Sequence, residues 1–220
     1  RFTYEAEIDV SDTPPWVAST AVDSKKCLIP SVVKPVLINS VAELKNAVEK
    51  IPSEAEVAVY WGEKVVLAYC GGAYEFEINA GLLGDNGITL DDVLSILNNV
   101  YGGSFSKVFF DLKQEMHNLS QYGSTIKPPY EDLSLKAYLI NPNRKPTPIE
   151  DLIDSYGAET GNIASSILTL NKILDERMQS LELTNLYKEI ELPLVKCLYD
   201  MERSGFCIDR ELLEELGREY

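Results

Sequence analysis

The chain has 220 residues, 45% hydrophobic and 25% charged, and this suits a soluble globular protein with one good core, or one domain and a fragment of a second. No apolar run approaches the ~20 residues of a membrane span, and no basic-then-apolar leader opens the chain. The net charge of -15 argues against unaided nucleic-acid binding, since that affinity comes largely from Lys and Arg replacing counterions at phosphates.

Residues 1–34 lack periodicity and carry Pro14, Pro15 and Pro30 among Ser, Thr and Asp, so they read as an irregular arm or interdomain linker. Order begins at Val36-Leu37-Ile38, a short strand. Ser40 and Glu43 form a capping box ahead of Leu44, Ala47, Val48 and Ile51 at helical spacing. Val57–Trp61, Val65–Cys70 and Tyr74–Ile78 then predict three strands, with turns at Gly62-Glu63 and Gly71-Gly72, an antiparallel meander.

The period then changes to that of a helix. Thr89 caps a helix with the apolar face Leu90, Val93, Leu94, Leu97 and Val100. Val108-Phe109-Phe110 is a short buried strand, and its helix carries Leu112, Met116 and Leu119. A helix over Leu133–Ile140 stops at Asn141-Pro142. Thr147-Pro148-Ile149-Glu150 starts another, with Thr147 as N-cap, and Gly157 ends it. Ile163, Ile167, Leu170, Leu174, Met178 and Leu181 mark a long helix. Leu186, Ile190, Leu194, Cys197, Leu198 and Met201 mark one face of a second, which Pro193 kinks or restarts. Gly205, the extended Phe206-Cys207-Ile208 and the cap Asp209 lead into a final helix. The chain starts at Arg1 and stops at Tyr220 within that helical pattern, as an excised piece would. Strands, then a strand flanked by helices, then helices alone give an α/β domain with a helical tail.

Cys27, Cys70, Cys197 and Cys207 form no C-x-x-C pair, and the lone His117 completes no zinc pattern with them. Buried or partly buried free thiols in a reducing cytosol are expected. The lone His117 reads as a surface or capping residue. Tyr60 and Trp61 read as core, and Tyr122, Tyr130 and Tyr138 as core or rim. Within residues 101–140, Lys107, Lys113, Lys127 and Lys136 only balance Asp111, Glu115, Glu131 and Asp132.

Two stretches carry a family resemblance. Residues 186–213, LYKEIELPLVKCLYDMERSGFCIDRELL, resemble the opening of the polymerase domain in family A DNA polymerases of the bacterial type. Lys107–Leu119 with Asp132–Pro142, KVFFDLKQEMHNL and DLSLKAYLINP, resembles the second 3′–5′ exonuclease motif of those proteins and the helix after it. With Val57–Glu63 the similarity covers roughly residues 36–220. It implies a ribonuclease H-like, DnaQ-type mixed sheet flanked by helices, with a helical C-terminal extension. The implied division is an arm at 1–34, an exonuclease-like domain at 35–183 and the start of a polymerase domain at 184–220.

The resemblance also fixes where catalytic carboxylates would lie. A two-metal exonuclease holds ions about 3.5–4 Å apart with several converging acids. The active family's first strand supplies Asp-x-Glu, two side chains on one strand face; aligning Val57-Ala58-Val59 puts Tyr60 and Gly62 there. The second motif, Asn-x-x-x-Asp, becomes Asp111-Leu112-Lys113-Gln114-Glu115, leaving Glu115 at the metal position. The third, Tyr-x-x-x-Asp, falls on Ile163-Ala164-Ser165-Ser166-Ile167, with Ser165 at its centre and no acid. The pairs Glu54/Glu56 and Glu75/Glu77 read as solvated strand faces, and Asp111 with Glu115 as acids complementing a helix N-terminus.

An inactive exonuclease-like domain with a structural role is therefore expected, and no catalytic or metal site in this chain. The resemblance implies a parent that is a template-directed DNA polymerase of the bacterial cytoplasm, associated with the nucleoid. Its Mg²⁺ site would lie beyond Tyr220, its partner would be the remainder of the same polypeptide, and DNA would be held by the parent with little or no help from this segment. Two alternatives stay open: a residual metal-dependent exonuclease using Glu115, and a docking module for a replication partner such as a sliding clamp.

Overall fold

Alternation of Val57, Val59 and Trp61 with Ala58 and Tyr60 sends neighbouring side chains to opposite faces of one strand, and both faces are covered. The computed structural model describes residues 34–78, 88–143, 145, 147–205, 207 and 209–219. The expected arm lies outside these, except at Lys34, and so do Phe206, Ile208 and Cys27. In chain order the elements are β1 (Val36–Leu37), α1 (Val41–Glu49), β2 (Glu56–Trp61), β3 (Val65–Tyr69), β4 (Gly72–Phe76), α2 (Leu90–Tyr101), β5 (Ser106–Phe109) and α3 (Leu112–Ser120). They continue with β6 (Tyr130–Asp132), α4 (Leu133–Ile140), α5 (Ile149–Tyr156), α6 (Ile163–Ser180), α7 (Thr184–Leu186), a π-helical turn (Tyr187–Glu191), α8 (Leu192–Ser204) and α9 (Arg210–Glu219).

The six strands lie in the order β1-β4-β3-β2-β5-β6. β2, β3 and β4 form the expected antiparallel meander, and β5 and β6 add in parallel beyond β2. A central first strand, one antiparallel neighbour beside it and two parallel strands on its other flank are the arrangement of the ribonuclease H-like fold. Strand β1 extends it by pairing in parallel with β4, Val36 opposite Tyr74.

One core packs Val57, Val59, Leu67 and Phe76 against α1, α2 and α3 through Leu44, Leu97 and Leu112. The other packs Ala58, Ala68 and Val108 against α4, α5 and α6 through Leu133, Leu152, Ile167 and Leu170. The small Ala58, Ala68 and Ala73 let α6 approach the sheet closely. Fully burying one such leucine is worth about 1.5–3 kcal/mol.

The helix ends follow their local chemistry. Ser40 accepts from the Glu43 amide, Thr89 and Asp92 form a reciprocal box, and Gly157 ends α5 at φ 63°. Three expectations change. Pro148, not Thr147, occupies the cap position of α5, with no side-chain cap. Strand β4 starts and stops two residues early, so Gly72 pairs within it rather than turning. Strand β6, absent from the sequence reading, is a three-residue edge held opposite Lys107–Phe109.

The tail departs most. Pro193 lies in the first turn of α8, directly after the π-helical turn that absorbs it. The apolar stripe read from the sequence is open to solvent: Ile190 is 57% exposed, Leu194 43% and Met201 68%. The face that packs is offset, through Tyr187, Val195 and Tyr199. Cys70, Cys197 and Cys207 are exposed, which corrects the expectation of buried or partly buried thiols: Cys70 follows β3 at the turn into β4, and the other two lie in the solvent-facing tail.

Candidate functional site

Strand β2 delivers the first pair of positions singled out by the resemblance. Tyr60 points to the α5 side, half-buried, and its hydroxyl donates to Glu150 Oε1 at 3.2 Å. Burial raises its pKa, and the Glu150 carboxylate adds to the rise, so the phenol stays protonated at neutral pH. Gly62 follows on the exposed turn, and a Cβ placed on it would lie 2.9 Å from Cε1 of the Tyr60 ring. One aromatic ring thus occupies the space of both positions. Trp61 points to the other face and donates its indole N–H to the buried Tyr101 hydroxyl at 3.1 Å.

The second pair sits where β5 runs into α3. Asp111 is the N-cap: Oδ1 accepts from the Gln114 amide at 3.0 Å, which stabilises the helix start. Glu115, one turn on, is half-buried. Burial raises its pKa, the Asn118 side chain lowers it, and the Asp111 carboxylate raises it again. These two are the only acids that the structure brings together among the positions named. Ser165, in the first turn of α6, is 1% exposed, and its Oγ has no hydrogen-bond partner. Ile163 is half-buried and Ile167 is 2% exposed within the second core.

Two Mg²⁺ ions would need several hard oxygen ligands converging. The donors do not fit: a protonated phenol, a glycine, an apolar helix turn and two carboxylates on one helix end, one of them engaged as a cap. No group of three His, Cys, Asp or Glu among the described residues is arranged to hold a metal.

A cleft of about 330 Å³ opens nearby, between the end of β5 and α4, α5 and α8. Asp111 lines it with Phe110, Tyr138, Leu152, Val195 and Leu198, while Tyr60, Gly62, Glu115 and Ser165 do not. Its wall is largely apolar, and Lys113 at its edge is held by Glu202 at 2.6 Å. Of the four lysines between 101 and 140, Lys107 and Lys136 are 1% exposed. Burial lowers the Lys107 pKa to about 8. Fewer cations face solvent here than the sequence count suggests.

The acid pairs read from sequence fall to ordinary partners. Lys64 pairs with Glu75 at 2.8 Å and with Glu77 at 3.3 Å. Glu56 is no solvated strand end: it is half-buried and accepts from Asn171 Nδ2 at 3.3 Å. His117 is more than a surface residue, bonding Glu202 at 2.8 Å and packing on the Tyr199 ring at 4.8 Å between centroids. Tyr122 and Tyr138 are exposed rim residues.

What the sequence reading passed over is a buried polar group behind β6. Asp132, 4% exposed, accepts from the Leu112 amide at 3.0 Å and the Leu135 amide at 2.9 Å, capping α4 and tying down the start of α3. Lys136 reaches Asn171 at 2.7 Å, Asp175 at 2.6 Å and Glu131 at 2.7 Å, with its ammonium 5.0 Å from the Tyr187 ring centroid. The signal was there: Leu133–Ile140 is apolar on nearly every side, so a lone Lys within it had to be buried.

No family model matches the chain. DNA polymerase I of Caldicellulosiruptor bescii is 25% identical over 186 residues, which is 80% of this chain and 20% of that protein. DNA polymerase I of Chloroflexus aurantiacus is 38% identical over 92 residues, 34% of this chain and 10% of that protein. Among solved structures, the polymerase domain of Pol1 from M. smegmatis, in complex with DNA primer-template and dNTP, superposes with a TM-score of 0.65 at 23% identity. It covers 86% of this chain and 34% of that one, a likeness of fold. The chain spans about a fifth, or less, of the relatives it matches. The chain is therefore similar, over most of its length, to one segment of bacterial DNA polymerase I.

Proposed function

We propose that this segment is an exonuclease-like domain that performs no 3′–5′ exonuclease chemistry and serves as a rigid spacer next to the polymerase domain. The observation that carries this reading is the Tyr60 ring, hydrogen-bonded to Glu150 and packed over Gly62, where two metal-binding carboxylates would be needed. The unacidic turn of α6 supports it. The whole protein would be a template-directed DNA polymerase of the bacterial cytoplasm, with its Mg²⁺-dependent site and its grip on DNA outside these residues. The described helices include none long and apolar enough to cross a membrane.

The boundary we assign, residues 35–183 for the spacer and 184–220 for the start of the polymerase domain, accounts for the exposed stripe Ile190, Leu194, Leu198 and Met201. A run of apolar side chains on one helix face is costly in water and suits burial against further chain. The test is incubation with 3′-labelled single-stranded DNA in Mg²⁺ or Mn²⁺. Intact label is expected; shortening that disappears in Glu115→Ala would establish the residual nuclease instead.

A further inference from the structure

The buried ammonium of Lys136 has no part in any catalytic scheme, yet it is the centre of a buried polar cluster that joins several elements. Its Nζ donates to Asn171 Oδ1 and Asp175 Oδ1 of α6 and forms an ion pair with Glu131 Oε2 of β6 at 2.7 Å. Asn171 passes the link on to Glu56 at the start of β2. On the other side stands Tyr187, 1% exposed, the first residue of the π-helical turn. Its hydroxyl accepts from the Asp132 amide at 2.8 Å, the Glu131 carboxylate beside it helps to raise its pKa after burial, and its ring faces the ammonium. Strand β6, helices α4 and α6 and the tail therefore meet at one cation.

We propose that Lys136 is the positioning residue of the joint: it gathers Glu131, Asp175 and Asn171 into a seat for Tyr187, and so fixes the direction in which the tail helices leave the sheet. Electrostatics make the cation necessary. Without it, Glu56, Glu131 and Asp175 would face one another with Lys172 as the other cation acting on Glu56. Such repulsion is poorly screened at Glu131, 20% exposed, and better screened at Asp175, 51% exposed, and the Tyr187 hydroxyl would stand beside an uncompensated carboxylate. Elsewhere in the tail contact Val195 and Tyr199 pack as buried side chains without charge, and the polar pairs are more exposed. Lys113 and His117 of α3 meet Glu202 of α8, with side chains between 31% and 46% exposed, and exposed pairs of this kind hold little. The seat of Tyr187 is thus the buried polar contact of the tail, and directional bonds there set its orientation where apolar packing alone would not.

This inference rests on the spacer reading for its purpose, since a spacer needs a stiff joint, but its test does not depend on nuclease activity. Amide hydrogen exchange on Lys136→Met should show protection of residues 187–204 falling at least tenfold while β2, β3 and α2 keep theirs. Adding Glu131→Gln to that variant removes the uncompensated charge and should return much of the lost protection, a rescue that a purely space-filling role would not give. Tyr187→Phe, which keeps the ring and loses the hydroxyl, serves should Lys136→Met not fold, and should loosen the same residues. Tail protection unchanged in the variants that fold, an equal loss in tail and sheet, or no rescue by Glu131→Gln would overturn the proposal.

Discussion

Replacing Asp132 by Asn tests how the sheet end is held. Burial pushes the Asp132 pKa up to about 7, against the pull of the amides of Leu135 and Leu112. An unfolded aspartate titrates near 3.9. Between those values the folded protein holds a proton that the unfolded chain has released, so stability falls as pH rises through that window and is greatest below it. Each pH unit corresponds to about 1.4 kcal/mol, so the group can cost up to roughly 4 kcal/mol by the time pH passes 7. Asn keeps one acceptor and cannot ionise. It should lose about 1 kcal/mol at pH 5 from the missing bond, and the difference from wild type should shrink or reverse above pH 7. Urea unfolding of both proteins at pH 5, 6, 7 and 8 measures this directly. Parallel pH profiles for the two would show that the Asp132 carboxylate is ionised throughout, and would refute the reasoning.

Three further outcomes follow from the packing. Restoring an acid at the third motif by Ile167→Asp puts a charge in the second core, where the residue is 2% exposed, and should destabilise by more than about 3 kcal/mol in chemical denaturation. Glu182 ends α6 with φ 58°, a left-handed conformation without glycine, so Glu182→Gly should gain about 0.5 kcal/mol or more despite the extra freedom of the unfolded chain. Hydrogen bonds from Lys113 and His117 lower the pKa of Glu202. The α3–α8 contact should therefore persist above the ordinary carboxylate range and weaken as acid protonates Glu202; nuclear magnetic resonance shifts of His117 would follow it, and Glu202→Gln should abolish the dependence.

Much of this molecule could be read before its structure. The meander of β2 to β4 was legible because alternating valines and glycine turns leave one pairing, and Ser40, Thr89 and Gly157 act through local chemistry that needs no tertiary context. Strand β6 was not, because Tyr130-Glu131-Asp132 has no apolar alternation and owes its conformation to the neighbouring β5. The tail shows a different limit. Period 3.6 reveals that a helix has an apolar face, but not whether the surface covering it lies in the same segment, and here Leu194 and Met201 are bare while Val195 and Tyr199 pack. At the candidate site the family resemblance implied which acids were absent. That one ring fills the space of Tyr60 and Gly62 depends on a rotamer, which only coordinates give.

The absence of a metal centre is the central claim, and Mn²⁺ titration followed by electron paramagnetic resonance tests it without reliance on substrate. No saturable site is expected below millimolar Mn²⁺, and Glu115→Ala should match the wild type. Two ions bound per chain at micromolar concentration, and lost in Glu115→Ala, would contradict the account.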